Sequence, residues 1–393
     1  MSTRGRTTRR VGPLAGMPEA SPRLDVDALL DDPETRIIVC TGSGGVGKTT
    51  TSAALALRAA ERGRKVVVLT IDPARRLAQS MGIETLDNTP RPVPEVSGSG
   101  TLDAMMLDMK RTFDEVVESQ ASPEKAAQIL ANPFYQVLSS SFAGTQEYMA
   151  MEKLGQLHKD AARTDRWDLI VVDTPPSRSA LDFLDAPERL SSFLDGRFIR
   201  ILLAPARGPA RFMTAGLSVV TNALTKVLGA QILQDMQTFV AALDTMFGGF
   251  RARAQQTFAL LQQPGTAFVV VAAPEADALR EAAFFVERLA GEQMPLAGLV
   301  VNRASRLLHE GLSGEQALAA AERLESTGDD STAVTSGLLR LHADRTRIVA
   351  REHHLRQRFA AAHPHVPTAV MPALSTDVHD LDGLREVGEL IAG

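Results

Sequence analysis

The chain has 393 residues, 44% of them hydrophobic, and a formal net charge of −5, so it can bury one large core or a core with a sizeable insertion. The acidic balance argues against a protein that coats nucleic acid, because phosphate-backbone binders present a basic face. Cys40 is the single cysteine, which excludes an internal disulfide and a cysteine-only metal cluster and fits a reducing cytoplasm.

Residues 1 to about 34 carry Arg4, Arg6, Arg9 and Arg10 ahead of the first acid, Glu19, with Pro13, Pro18, Pro22 and Pro33 scattered behind. This composition reads as a disordered, solvated tail, without the apolar stretch of a secretory signal. Ile37-Ile38-Val39-Cys40 then reads as a buried parallel strand. It runs into Thr41-Gly42-Ser43-Gly44-Gly45-Val46-Gly47-Lys48-Thr49-Thr50, which contains G-x-x-x-x-G-K-[ST], and the alanine-rich stretch from Ser52 to Arg62 reads as a helix. Strand, glycine loop and helix in that order build a nest of backbone N–H groups at a helix N-terminus, where a triphosphate fits. Lys48 is expected to reach the β- and γ-phosphates, and the Thr49 hydroxyl to take a Mg²⁺ site, since Mg²⁺ prefers hard oxygen ligands.

Lys65 to Ile71 reads as a second buried strand ending on Asp72-Pro73-Ala74-Arg75-Arg76. An acid at the carboxyl end of a strand beside the phosphate loop lies where open α/β sheets bind ligands, so Asp72 is a candidate for orienting a water. A loop with Pro90, Pro92 and Pro94 leads to a shorter strand, Thr101 to Asp108, and then to helical sequence as far as about Asp160, broken near Ser122-Pro123 and Asn132-Pro133. Leu169-Ile170-Val171-Val172-Asp173 is a strand ending in an acid, the way P-loop NTPases place the carboxylate that holds the water shell of Mg²⁺.

Residues 186 to 262 interrupt the alternation of strands and helices. Met213, Leu217, Val220, Leu224 and Val227 step by four and three, as do Ile232, Met236, Phe239, Leu243, Met246 and Phe250, so two amphipathic helices are expected here. Their apolar faces can bury each other, cover a dimer partner, or line a groove for an apolar client, in which methionines adapt well. The longest candidate membrane span, Gly216 to Leu233, is interrupted by Thr221, Asn222, Thr225, Lys226 and Gln231, and no transmembrane helix is expected. Strands return at Ala267 to Ala272, at Ala297 to Val301 ending on Asn302-Arg303, and at Val366 to Met371 opening into Pro372-Ala373-Leu374. A helix from about Asp277 to Ala290, a long charged helix from about Gly337 to Ala362 and a short closing helix complete the chain. His353, His354, His363 and His365 lack carboxylate or cysteine partners at ligand spacing and read as surface residues. The fold class expected is α/β, a P-loop NTPase with a mostly parallel doubly wound sheet and helical insertions at about 110–160, 186–262 and 305–362.

In order and spacing these motifs resemble the ArsA-type ATPases, the family of the arsenite-pump ATPases and of the targeting ATPases for tail-anchored membrane proteins. The family loop G-K-G-G-V-G-K-T falls on Gly42 to Thr49 with Ser43 in place of the first lysine. The family's D-P-A switch falls on Asp72-Pro73-Ala74, and its second switch on Asp173-Thr174-Pro175-Pro176 and the sequence to Pro187. The resemblance implies Lys48, Asp72 and Asp173 as catalytic residues, Thr49 and Asp173 at Mg²⁺, and ATP held by residues 42–50, with Asn302 at the adenine and Pro372 and Leu374 near the base. It also implies a cytoplasmic dimer, transiently at the membrane surface, with a hydrophobic protein client. Two departures narrow this. Ser43 removes a cation that the family places across the dimer interface against the phosphates, a kind of loss that can cost ~10³ in rate. A heterodimer with a paralogous ATPase that bears the lysine would restore it. The paired-cysteine zinc motif of some targeting ATPases is absent, and Cys40 alone cannot form a thiolate site for arsenite. The alternatives are a pseudo-ATPase subunit stabilising an active paralogue, and a partition- or division-site nucleotide switch on membrane or DNA. The switch should carry a basic amphipathic C-terminal helix, whereas Asp380, Asp382, Glu386 and Glu389 face a single Arg385.

Overall fold

The computed structural model describes residues 22–71, 76–133, 135, 136, 139, 145–175, 249, 252–307, 309, 311–327 and 329–393. Its strands are β1 (Ile37–Gly42), β2 (Lys65–Thr70), β3 (Arg91–Pro92), β4 (Thr101–Met106), β5 (Leu169–Asp173), β6 (Thr266–Ala272), β7 (Leu296–Ala304) and β8 (Thr368–Pro372). They form one eight-stranded sheet in the order β3-β4-β2-β5-β1-β6-β7-β8. Every pairing is parallel except that of β3 with β4. β1, β5 and β6 are buried along their whole length, which is why they read as unbroken apolar runs instead of alternating ones. The expected α/β class with a mostly parallel sheet is therefore what the chain adopts.

The helices are α1 (Val26–Asp31), α2 (Lys48–Glu61), α3 (Arg76–Ser80), α4 (Met109–Gln120), α5 (Pro123–Leu130), α6 (Thr145–Thr164), α7 (Ala276–Gly291), α8 (Gly314–Ser326), α9 (Ala333–Ala362) and α10 (Leu381–Ala392). Residues 252–261 are also helical. α2 buries Ala53, Ala54, Ala56, Ala59 and Ala60, small side chains that let it lie close to the central strands and to α10, together with Leu55 and Leu57, which fill the core between them. The helix directly behind the phosphate loop is thereby fixed along its length.

Four details differ from the sequence reading. The tail expected to run to 34 gives way from residue 22 to packed chain: α1 is capped by Asp25, whose Oδ1 accepts from Ala28 N at 2.9 Å, and Leu24, Val26 and Leu30 are buried. Inside the proline-rich loop, Arg91–Pro92 form the edge strand β3, too short and exposed to leave a periodic signal. β4 stops at Met106 because Asp108 turns the chain as the N-cap of α4, its carboxylate accepting from Arg111 N at 2.9 Å. α9 begins at Ala333 and runs through Gly337, whose missing side chain leaves open space beside it. The amphipathic stripes from Met213 to Phe250 lie outside the described residues. Among the described residues, no helix is long and apolar enough to cross a membrane.

Candidate nucleotide site

β1 delivers its carboxyl end between those of β5 and β6, at the point where successive connections leave in opposite directions along the sheet. In open α/β sheets the binding crevice lies there. In the pairing register Asp173 sits level with both Cys40 on β1 and Thr70 on β2, so the tips of three strands converge on one carboxylate. Asp173 is fully buried. Its Oδ2 accepts from Thr49 Oγ1 at 2.7 Å and from Thr70 Oγ1 at 2.9 Å, while Thr174 Oγ1 donates to Cys40 O at 2.8 Å and pins the exit of β5. Burial and the neighbouring Asp173 push the Cys40 thiol far above its usual range, so Cys40 acts as a small apolar residue and not as a thiolate.

The loop after β1 turns through three glycines with left-handed or otherwise positive φ: Gly42 at 150°, Gly45 at 78° and Gly47 at 95°. The fit is tight at two of them. A Cβ on Gly42 would lie 2.0 Å from Val271 O, and one on Gly47 2.1 Å from Asn302 Nδ2, whereas one on Gly45 would meet nothing within 4 Å. Gly44 and Gly45 face solvent, Ser43, Gly47, Thr49 and Thr50 are half-buried, and Val46 is buried. Lys48 opens α2 and is buried, with Nζ donating to Ser43 O at 2.8 Å across the loop. From the far side, Asn302 Nδ2 donates to Val46 O at 2.8 Å and Arg303 Nη1 to Gly45 O at 2.9 Å. Asn302 is almost fully buried, and its Oδ1 has no hydrogen-bond partner in the protein, as expected of a group that awaits a donor from a ligand. Pro372 ends β8 opposite Ala304 of β7, tied by the bond from Ala373 N to Ala304 O at 2.9 Å, and Leu374 packs against the core beside it.

The residues fit a Mg²⁺-nucleoside triphosphate. A glycine cradle that side chains would fill, a buried lysine at its mouth, and a hydroxyl in contact with a carboxylate supply N–H donors, a cation and hard oxygen ligands in one place. Residues 42–50, Asp173, Asn302 and Pro372 are thus brought to the carboxyl ends of β1, β5, β7 and β8. Asp72 lies outside the described residues. The strand that leads to it ends beside the site, with Ile71 N donating to Asp173 O at 3.0 Å. Two contributors escaped the sequence reading. Thr70 was legible in principle, as a hydroxyl ending an apolar strand one position ahead of Ile71-Asp72. Arg303 gave no signal, because its reach depends on a local backbone turn.

The profile of the anion-transporting ATPases, the ArsA type, matches residues 35–325. An ATPase GET3 of Malassezia globosa is 32% identical over 166 residues, 42% of this chain and 46% of the relative. An arsenical pump-driving ATPase of Escherichia coli is 33% identical over 162 residues, 39% of this chain and 26% of the relative. An ATPase ASNA1 homolog of Cryptosporidium parvum is 28% identical over 263 residues, 67% of this chain and 63% of the relative. The chain spans less than two thirds of the length of each of these relatives.

Proposed function

Since the chain belongs to the ArsA-type, anion-transporting ATPase family, we propose that it is a Mg²⁺-dependent ATPase working as a dimer, in which nucleotide state drives a helical subdomain. The observation that carries this reading is the contact of Thr49 Oγ1 with the buried Asp173 Oδ2 at 2.7 Å, placed at the end of the glycine cradle next to Lys48. Thr49 and Asp173 would hold Mg²⁺, which when bound would supply positive charge to offset that developing on the phosphates. Lys48 would leave Ser43 O for the β- and γ-phosphates. Asn302 would accept from the adenine amino group with the Oδ1 that lacks a protein partner, and Pro372 would border the base. Asp72 would orient the attacking water.

The task this reading favours is protein targeting or membrane-protein handling in the cytoplasm, with transient residence at a membrane surface and a hydrophobic protein client. The relatives named for an arsenical pump do not transfer their cargo, because the lone Cys40 is buried and its thiol is held protonated. The test is Mg-ATP binding and steady-state hydrolysis by the purified chain with two variants. Lys48→Ala is expected to lose ATP binding or turnover, because it removes the cation that meets the phosphates in the ground state. Asp72→Asn is expected to retain bound ATP while losing hydrolysis. Unchanged hydrolysis in Asp72→Asn would remove Asp72 from the mechanism, and no Mg-ATP binding by the unaltered chain would remove the whole reading.

A further inference from the structure

β7 leaves the sheet through two consecutive side chains that both grip the phosphate loop, Asn302 on Val46 O at 2.8 Å and Arg303 on Gly45 O at 2.9 Å. In a regular strand, neighbouring side chains point to opposite faces and could not both do this. The alternation is broken at Arg303 itself, which adopts φ 62°, the left-handed conformation that non-glycine residues rarely take, where the β7–β8 register shifts between Val301 and Ala304. Such strain persists only where the surroundings enforce it, and it collects at binding sites.

The consequence for the loop follows from peptide geometry. The described peptide bonds are trans, so in each unit the carbonyl and the following N–H point in opposite directions. Anchoring the Gly45 and Val46 carbonyls to β7 turns the Val46 and Gly47 N–H groups the other way, away from β7. Gly45 is the point at which this anchoring is needed. It is an exposed glycine at φ 78° with open space where a Cβ would be, so no side chain of its own packs to fix its φ and ψ, while Val46 beyond it is anchored in the core. We propose that Arg303 is a positioning residue of the phosphate loop, pinning the Gly45 carbonyl so that the Val46 N–H is presented to the phosphates before nucleotide arrives. The proposal rests on the nucleotide reading above and adds a residue to it. The guanidinium also brings positive charge to a loop whose second residue is Ser43, although its bond is to the loop carbonyl and it acts through the backbone.

The full chain with Arg303→Gly tests this, because glycine relieves the left-handed backbone while deleting the guanidinium. Without ligand, the variant should melt within about 2 °C of the parent or above it. Its affinity for Mg-ATPγS, titrated calorimetrically, should fall about five- to ten-fold, in line with one exposed charge-assisted bond, and the Mg-ATPγS-induced rise in melting temperature should shrink. Arg303→Lys, which keeps a cationic donor, should recover part of the affinity. Unaltered affinity in Arg303→Gly would overturn the proposal, as would a lowered melting temperature of the ligand-free variant accounting for the whole loss. Absence of Mg-ATPγS binding in the unaltered chain would overturn the nucleotide reading and this assignment with it.

Discussion

Three glycines of the phosphate loop share a positive φ but not a reason for being glycine, and the difference is measurable. At Gly45 a methyl group meets nothing, so Gly45→Ala should cost only the left-handed conformation, about 1–2 kcal/mol. At Gly47 the methyl would sit 2.1 Å from Asn302 Nδ2 and push that side chain off Val46 O, adding the loss of a buried hydrogen bond. At Gly42 it would sit 2.0 Å from the backbone oxygen of Val271 on β6, which cannot move without unpairing the central strands. Urea unfolding of the three variants should therefore rank Gly42→Ala as the most destabilised, by more than about 3 kcal/mol, then Gly47→Ala, then Gly45→Ala. Equal losses at all three would mean that φ alone decides. At this scale the sequence was most legible where chemistry needs a fixed residue type in a local pattern, as at Lys48, Thr49 and Asp173. It was least legible where a contact joins distant segments. Asn302 was singled out through a family resemblance, and Arg303 not at all, since its aim comes from one backbone angle.

Among the elements, buried strands announced themselves as apolar runs, whereas α1 did not, because what holds its six residues lies 31 residues ahead in sequence. Arg58 on α2 donates through Nε and Nη2 to the two carboxylate oxygens of Asp27 at 2.6 and 2.8 Å, and Arg62 pairs in the same forked manner with Asp31. No local window contains both halves of such a clamp. The hydrogen bond from Arg58 holds the Asp27 carboxyl below its ordinary value of 3.8, and that from Arg62 does the same for Asp31. A carboxylate whose folded value is depressed contributes stability in full above the unfolded value, and the contribution fades as pH falls through the depressed one. Both pairs are partly solvent-exposed and screened, so the effect is local. Below about pH 4, α1 should loosen from α2 while the central sheet stays closed, seen as faster amide exchange in α1 than in β1. Asp27→Asn should weaken that pH dependence. Protection of α1 that stays flat from about pH 6 to 3 would show that burial of Leu24, Val26 and Leu30 holds the helix without the charges.

For the whole molecule, the question is whether one copy of this chain holds a complete site. The glycine cradle, Lys48, Thr49 and Asp173 come from the carboxyl ends of the neighbouring central strands β1 and β5 and the start of α2, and in the proposed dimer the remaining cation of the family loop would come from the other subunit. This chain offers Ser43 instead, half-buried, with its carbonyl taken by Lys48 Nζ and its Oγ without a hydrogen-bond partner. A hydroxyl there cannot reach across an interface as a lysine would, and it carries no charge to offset that of the phosphates. A homodimer would thus lack the cation at both sites. Pairing with a paralogous ATPase that keeps the lysine would restore it at the site this chain holds. The purified chain should therefore hydrolyse ATP slowly and gain at least about ten-fold when mixed with such a paralogue, or on Ser43→Lys if two copies close on each other. Lys48→Ala in this chain should abolish the part of the gain that belongs to its own site, which separates assembly from chemistry. Full turnover by the chain alone, unchanged by the paralogue and by Ser43→Lys, would mean that a group already in this chain supplies the charge. Arg303, whose guanidinium already lies on the loop, would be the first to remove.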